Sequence, residues 1–87
     1  MAREPSPPKG VTIYHTPGCG RCQAALEFFC ARGLAVEFLD VANDFGALRR
    51  MARVSGGARS VPVIEMGEEV FVGFDLDYWR GRLDGGR

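Results

Sequence analysis

A short run of β-branched and aromatic side chains, Val11 to His15, is cut off by Thr16-Pro17-Gly18, and the next four residues are Cys19-Gly20-Arg21-Cys22. Proline and glycine in that order end a strand, and helical spacing of apolar residues begins immediately behind them. The chain must therefore turn from strand to helix here, with two thiols in the first helical turn. Residues three apart share a helix face, so the two sulfurs can join in a disulfide without a shift of the backbone. Such a pair, in a chain without a recognisable export signal, reads as a site of thiol–disulfide exchange.

Eighty-seven residues allow one small domain, so any function must sit in one compact site. Eleven basic and eleven acidic side chains cancel, leaving no global field to hold nucleic acid or an anionic membrane surface. The expected partners are disulfide-containing proteins or small disulfides, met by a monomer. Three cysteines cannot all pair within one chain, and a stapled secreted domain would carry a denser, even set. A reducing, cytoplasmic setting is expected. Met1 to Lys9 holds three prolines and no apolar run. Residues 1–10 are thus read as a disordered leader, 11–84 as the domain and 85–87 as a flexible tail.

The rest of the chain is punctuated clearly. The spacing predicts a helix over Gly20 to Arg32, with Ala24, Ala25, Phe28, Phe29 and Ala31 on its apolar stripe, Leu26 widening it and Gly33 stopping it. Val36 to Val41 alternates as a strand, placing Val36 and Phe38 on one face and Leu39 and Val41 on the other. A second helix fits Asp44 to Val54, capped by Asn43 or Asp44, with Phe45, Leu48, Met51 and Ala52 expected inside. Pro62 to Met66 and Glu69 to Val72 read as a hairpin about Gly67-Glu68, and Asp75 to Leu83 as a last helix burying Leu76, Trp79 and Leu83. The order is βαβαββα: an α/β fold with a four-stranded mixed sheet, two strands parallel and two in a hairpin, flanked by three helices. A right-handed crossover places the thiols at the carboxyl edge of the first strand.

From Val11 to Leu83 the chain resembles the glutaredoxin family, including the thioredoxin-like variants that serve ribonucleotide reductase. Three separated motifs carry the resemblance: Cys19-Gly20-Arg21-Cys22, Ser60-Val61-Pro62 and Gly73-Phe74-Asp75. It implies the thioredoxin fold, a cis peptide before Pro62, and a substrate groove formed by Val61, Pro62, Gly73, Phe74 and Asp75. It also implies glutathione or thioredoxin reductase as electron source, with no tightly bound cofactor. Phe74 stands where glutathione users often carry a second glycine, which points toward the variants reduced by thioredoxin reductase. Gly20-Arg21 departs from the family's common Pro-Tyr. Tyr14 to Cys19 also resembles the opening of the arsenate-reductase-like branch, whose longer insertion with extra arginines is missing here.

Cys19 is the expected nucleophile. A thiolate at a helix start faces unpaired backbone N–H groups and the positive end of the helix dipole, which places its pKa roughly in the 3.5–7.5 window of activated cysteines. Gly18 and Gly20 leave those amides uncovered, and Arg21 adds a minor, water-screened positive charge. Cys22, one turn in, is the expected resolving thiol. Cys30, far along the same helix, reads as a bystander, since the dipole no longer favours its thiolate. His15 either tunes the thiolate or is a solvated strand end. Asp75 fits a helix cap. Arg49, Arg53 and Arg59 are candidates to meet a carboxylate or are solvated cations. The chain lacks a second cysteine pair to complete a zinc tetrad. A different class of function is glutathione-assisted binding of an iron–sulfur cluster or soft metal by Cys19, but such carriers usually keep only the first cysteine. A non-catalytic interaction domain would show ordinary thiol reactivity.

Overall fold

The computed structural model describes residues 10–85. The elements run β1 (Gly10–His15), α1 (Gly20–Ala31), β2 (Ala35–Asp40), α2 (Phe45–Ser55), β3 (Val63–Met66), β4 (Glu69–Val72) and α3 (Leu76–Leu83). The sheet order is β2-β1-β3-β4, with β1 and β2 parallel, β3 antiparallel to β1, and β4 antiparallel to β3. This is the expected mixed sheet. Residues 1–9 of the expected leader and residues 86–87 of the expected tail lie outside the described residues, while Gly10 belongs to β1.

β1 is central and buried on both faces, which its alternating apolar and hydroxyl-bearing side chains permit. On one face Val11 and Ile13 join Ala25, Phe28, Phe29, Ile64 and Trp79 in a core that also receives Phe38, Phe71 and Phe74. Trp79, 1% exposed, meets Phe29 edge-on at 5.0 Å and Phe71 at 4.8 Å. On the other face Tyr14 packs with Val41, Ala47, Met51 and Val63. There Tyr14 Oη donates to Glu65 Oε1 at 2.8 Å, Thr12 Oγ1 donates to Glu37 at 3.2 Å, and Arg50 of α2 faces both carboxylates.

Several expected burial patterns shift. In α1 the buried residues are Cys22, Ala25, Phe28 and Phe29, whereas Ala24 and Ala31 are exposed. In α2, Phe45 is 71% and Leu48 39% exposed and Ala52 also faces out; Ala47 and Met51 are buried, with Val54 beside them. The helix carries two apolar stripes. The one beside Arg50 wins, because turning it to the sheet gives the Glu37 and Glu65 carboxylates a cation and places small Ala47 where the backbones approach. Leu76 is likewise exposed, because it occupies the first turn of α3 and only Trp79 and Leu83 reach the core. Asp44, of the two candidates, caps α2 through Oδ1 on the Ala47 N–H at 3.1 Å. Strand bounds differ by one residue, β2 starting at Ala35 and β3 at Val63.

Candidate active site

Cys19 is the N-cap of α1, with an extended backbone, φ −83° and ψ 107°. Gly18 before it has φ +81°, a left-handed conformation in which a side chain would be strained, and this turn aims Cys19 at the helix start. Cys19 Sγ accepts the Cys22 N–H at 3.1 Å, and Cys19 C=O accepts the Gln23 N–H at 3.1 Å. The Gly20 and Arg21 N–H groups have no backbone acceptor among the described residues, as befits a first turn. Cys19 and Cys22 are joined in a disulfide with Cα atoms 5.3 Å apart. Cys19 is half-buried and Cys22 is 1% exposed, so only the first sulfur is open to attack from outside.

Strand register brings the other motifs to the same edge. Val63 pairs with Tyr14, so Pro62 arrives beside the carboxyl end of β1, from which Cys19 follows. The Val61–Pro62 peptide is cis, and Val61's own N–H and C=O make no backbone hydrogen bond among the described residues. Gly73, at φ +95°, donates its N–H to Pro62 C=O at 2.7 Å and ties the third motif to the second. Asp75 Oδ1 accepts from the Asp77 and Tyr78 N–H groups at 3.1 and 3.3 Å, so one carboxylate oxygen is spent on capping α3. The Phe74 ring turns inward to Phe28 and Phe29, at 5.6 and 6.2 Å. The ring is partly buried against that core, and the residue also lines a cavity at this turn.

Gly73, Phe74 and Asp75 line a cavity of about 330 Å³ together with Phe71, Tyr78 and Trp79. A separate cavity of about 300 Å³ lies against Cys19 on the β2 side, and Val61 and Pro62 line neither. Its wall includes Phe38 and Gln23, which the sequence reading did not single out. The parallel register of β1 and β2, pairing Ile13 with Phe38 and His15 with Asp40, is the signal that places Phe38 beside His15. Asp40 is held below the usual carboxylate range, first by the Asn43 side-chain amide at 2.7 Å, then by the Ala42 and Asn43 N–H groups and His15. Cys30 is exposed near the far end of α1. Arg21, Arg49, Arg53 and Arg59 are exposed and have no carboxylate partner among the described residues. Among those residues, no three His, Cys, Asp or Glu side chains converge as a metal site.

The family model for glutaredoxin matches residues 11–71. The chain belongs to the glutaredoxin family. Among solved structures, this glutaredoxin is similar to a mutant of the thioredoxin-like protein BC3987, with 26% identity and a TM-score of 0.75 over 88% of this chain and 96% of that one. It is also similar to the glutaredoxin-like NrdH-redoxin from Escherichia coli, with 29% identity and a TM-score of 0.67 over 79% and 88% of the two chains. The buckwheat glutaredoxin–glutathione complex shares its fold at 20% identity, with a TM-score of 0.66 over 87% of this chain and 70% of that one. No curated protein sequence matches the chain. No helix among the described residues is long and apolar enough to cross a membrane.

Proposed function

We propose that this glutaredoxin is a dithiol oxidoreductase that reduces protein or low-molecular-weight disulfides through Cys19 and Cys22. In the reduced protein the Cys19 thiolate attacks a substrate disulfide, forming a Cys19–substrate bond while the displaced thiolate leaves and takes up a proton. Cys22 then attacks Cys19 Sγ, the second substrate thiol leaves, and the protein is left as the disulfide. Two electrons pass from the dithiol to the substrate.

The observation that carries the reading is the Cys22 N–H directed at Cys19 Sγ at 3.1 Å, beside two further free amides. Donors fixed around a sulfur favour its anion, and the thiolate is both attacking group and leaving group. Arg21, exposed and screened, contributes little to that field. Gly20 leaves its N–H bare, and a Cβ there would meet nothing within 4 Å. The unpaired N–H and C=O of Val61, beside Pro62, suit an extended substrate segment, with Gly73, Phe74 and Asp75 as the next wall.

For the electron source we favour thioredoxin reductase over glutathione, in keeping with the likeness to NrdH-redoxin, a protein described by its thioredoxin-like activity profile. Phe74 supports this by packing its ring on Phe28 and Phe29 at the position where glutathione users often carry a second glycine. The test is reduction of a small disulfide with Cys22→Ser alongside the unaltered protein, supplied either by glutathione with its reductase or by thioredoxin reductase. Cys22→Ser is expected to accumulate a mixed disulfide on Cys19, seen by mass spectrometry. The unaltered protein is expected to turn over with thioredoxin reductase. Turnover with glutathione alone would reverse the choice of donor, and a Cys19 that alkylates like an ordinary thiol would remove the mechanism.

A further inference from the structure

The cavity on the β2 side of Cys19 is built differently from the groove of the three motifs. Its back wall is a pair of rings, His15 and Phe38, stacked with centroids 3.7 Å apart and planes within 6° of parallel. Among the described residues β2 is an edge strand, and no further strand closes the cavity on that side. Neither Asp, Glu, Lys nor Arg lines it among the described residues. The polar groups at its rim are unspent: His15 makes no side-chain hydrogen bond among the described residues, and Gln23 makes only a 3.5 Å one to Glu27. The N–H of Gly20, which also lines the cavity, is free as well.

We propose that this cavity is a specificity subsite that receives an aromatic side chain neighbouring the cysteine of a peptide or protein disulfide, with Phe38 as its determining residue. The inference rests on the thiol–disulfide reading above. Size supports a side chain in this place: a cavity of roughly 150 Å³ holds a benzene ring, and about 300 Å³ here leaves room for a ring and the adjoining peptide unit. Chemistry supports an aromatic one, since an aromatic wall prefers another ring in offset or edge-on contact. Among the described residues no Lys or Arg side chain lines the cavity, so the carboxylates of a small anionic disulfide would find there no side-chain cation, only the amides of the helix start. The Gly20 N–H and the Gln23 side chain answer the peptide groups on either side of the substrate cysteine. The subsite acts while Cys19 and the captured substrate sulfur are bonded, holding the mixed disulfide until Cys22 displaces it.

The experiment uses the pre-reduced full chain in single-turnover reactions, so no external reductant enters. Substrates are disulfide-linked neutral peptides with Phe, Leu or Asp next to the cysteine, and bis(2-hydroxyethyl) disulfide as a substrate without a flanking residue. The unaltered protein is expected to reduce the Phe peptide about tenfold faster than the Asp peptide, the upper end for one aromatic contact. Leu should fall between. Phe38→Ala is expected to bring that ratio near one and Phe38→Trp to keep it. Gln23→Trp is placed on an exposed helix position, so the fold is not at risk, and should abolish the ratio by filling the cavity. Phe45→Ala, on the exposed face of α2, should leave rates and ratio unchanged. A ratio near one in the unaltered protein, or a ratio that survives Gln23→Trp, overturns the subsite while the redox reading stands. Failure to reduce even bis(2-hydroxyethyl) disulfide overturns both.

Discussion

The two faces of the sheet are held by different physics. Under α1 and α3 the core is a dry stack of aromatic rings, Phe28, Phe29, Phe71, Phe74 and Trp79, in edge-on contacts of 4.8 to 6.2 Å. Under α2 the apolar core is smaller, and a polar chain of Thr12, Glu37, Arg50, Glu65 and Tyr14 spans three strands and the helix. The hydrophobic burial of such large rings is non-directional and large, while hydrogen bonds are directional and modest in net energy. The first face therefore supplies most of the stability and seats α1, the helix that carries the thiols. The second fixes which residue of β1 lies beside which residue of β2 and β3, and so where Pro62 meets the end of β1.

The largest expected break in this comparison is Trp79→Ala. Removing a fully buried indole that meets the rings of Phe29, Phe71 and Tyr78 costs about 3–5 kcal/mol, a large part of the roughly 5–15 kcal/mol that keeps a domain folded. A urea midpoint lowered accordingly, with loss of the tertiary circular dichroism of the aromatic residues, is the expected result. A cost below about 1 kcal/mol would mean that the dry face is not what seats α1.

On the polar face, Tyr14→Phe is expected to cost about 1.5 kcal/mol, the low end for a hydrogen bond to a charged group, because Arg50 still faces Glu65. The same residue predicts a pH dependence. Burial, then the hydrogen bond and negative charge of Glu65, raise the Tyr14 phenol well above its ordinary value. A phenol that ionises later in the folded than in the unfolded chain lends its full stability below about pH 10, and loses it as pH rises from there toward the folded-state value. Urea titrations between neutral and strongly alkaline pH should show a steeper decline for the unaltered protein than for Tyr14→Phe. Equal slopes would place Tyr14 in a looser, wetter site.

The elements were legible because the chain marks their ends. Thr16-Pro17-Gly18, Ser55-Gly56-Gly57 and Gly67-Glu68 each stop one periodicity before the next begins, and Asp44 and Asp75 cap as their position predicts. The thiol pair was legible for the same reason. What the sequence did not reveal is which of two competing arrangements tertiary contacts select. The face α2 turns to the sheet depends on carboxylates at Glu37 and Glu65, far away in the chain, that a local stripe does not report. Phe38 joins the cavity at Cys19 only through the register of β1 on β2. Phe74 was legible as part of a motif, yet the direction of its ring depends on the space that Phe28 and Phe29 leave.

The smallest expected effect tests that choice of face. Were α2 seated on Phe45, Leu48 and Ala52, replacing the phenylalanine would open a core cavity and cost about 3–5 kcal/mol. Phe45 is instead 71% exposed, with the Arg49 guanidinium 5.9 Å above its ring. A cation at that range, in water, is worth about 0.5 kcal/mol, the low end for an exposed pair. Phe45 is also the first residue after the Asp44 cap, where serine is tolerated and the cap's hydrogen bond to Ala47 is untouched. Phe45→Ser should therefore shift the urea midpoint by no more than the equivalent of about 0.5 kcal/mol. A loss of several kcal/mol would return α2 to the other stripe, and Arg50, turned from the sheet, would leave Glu65 with Tyr14 as its remaining partner.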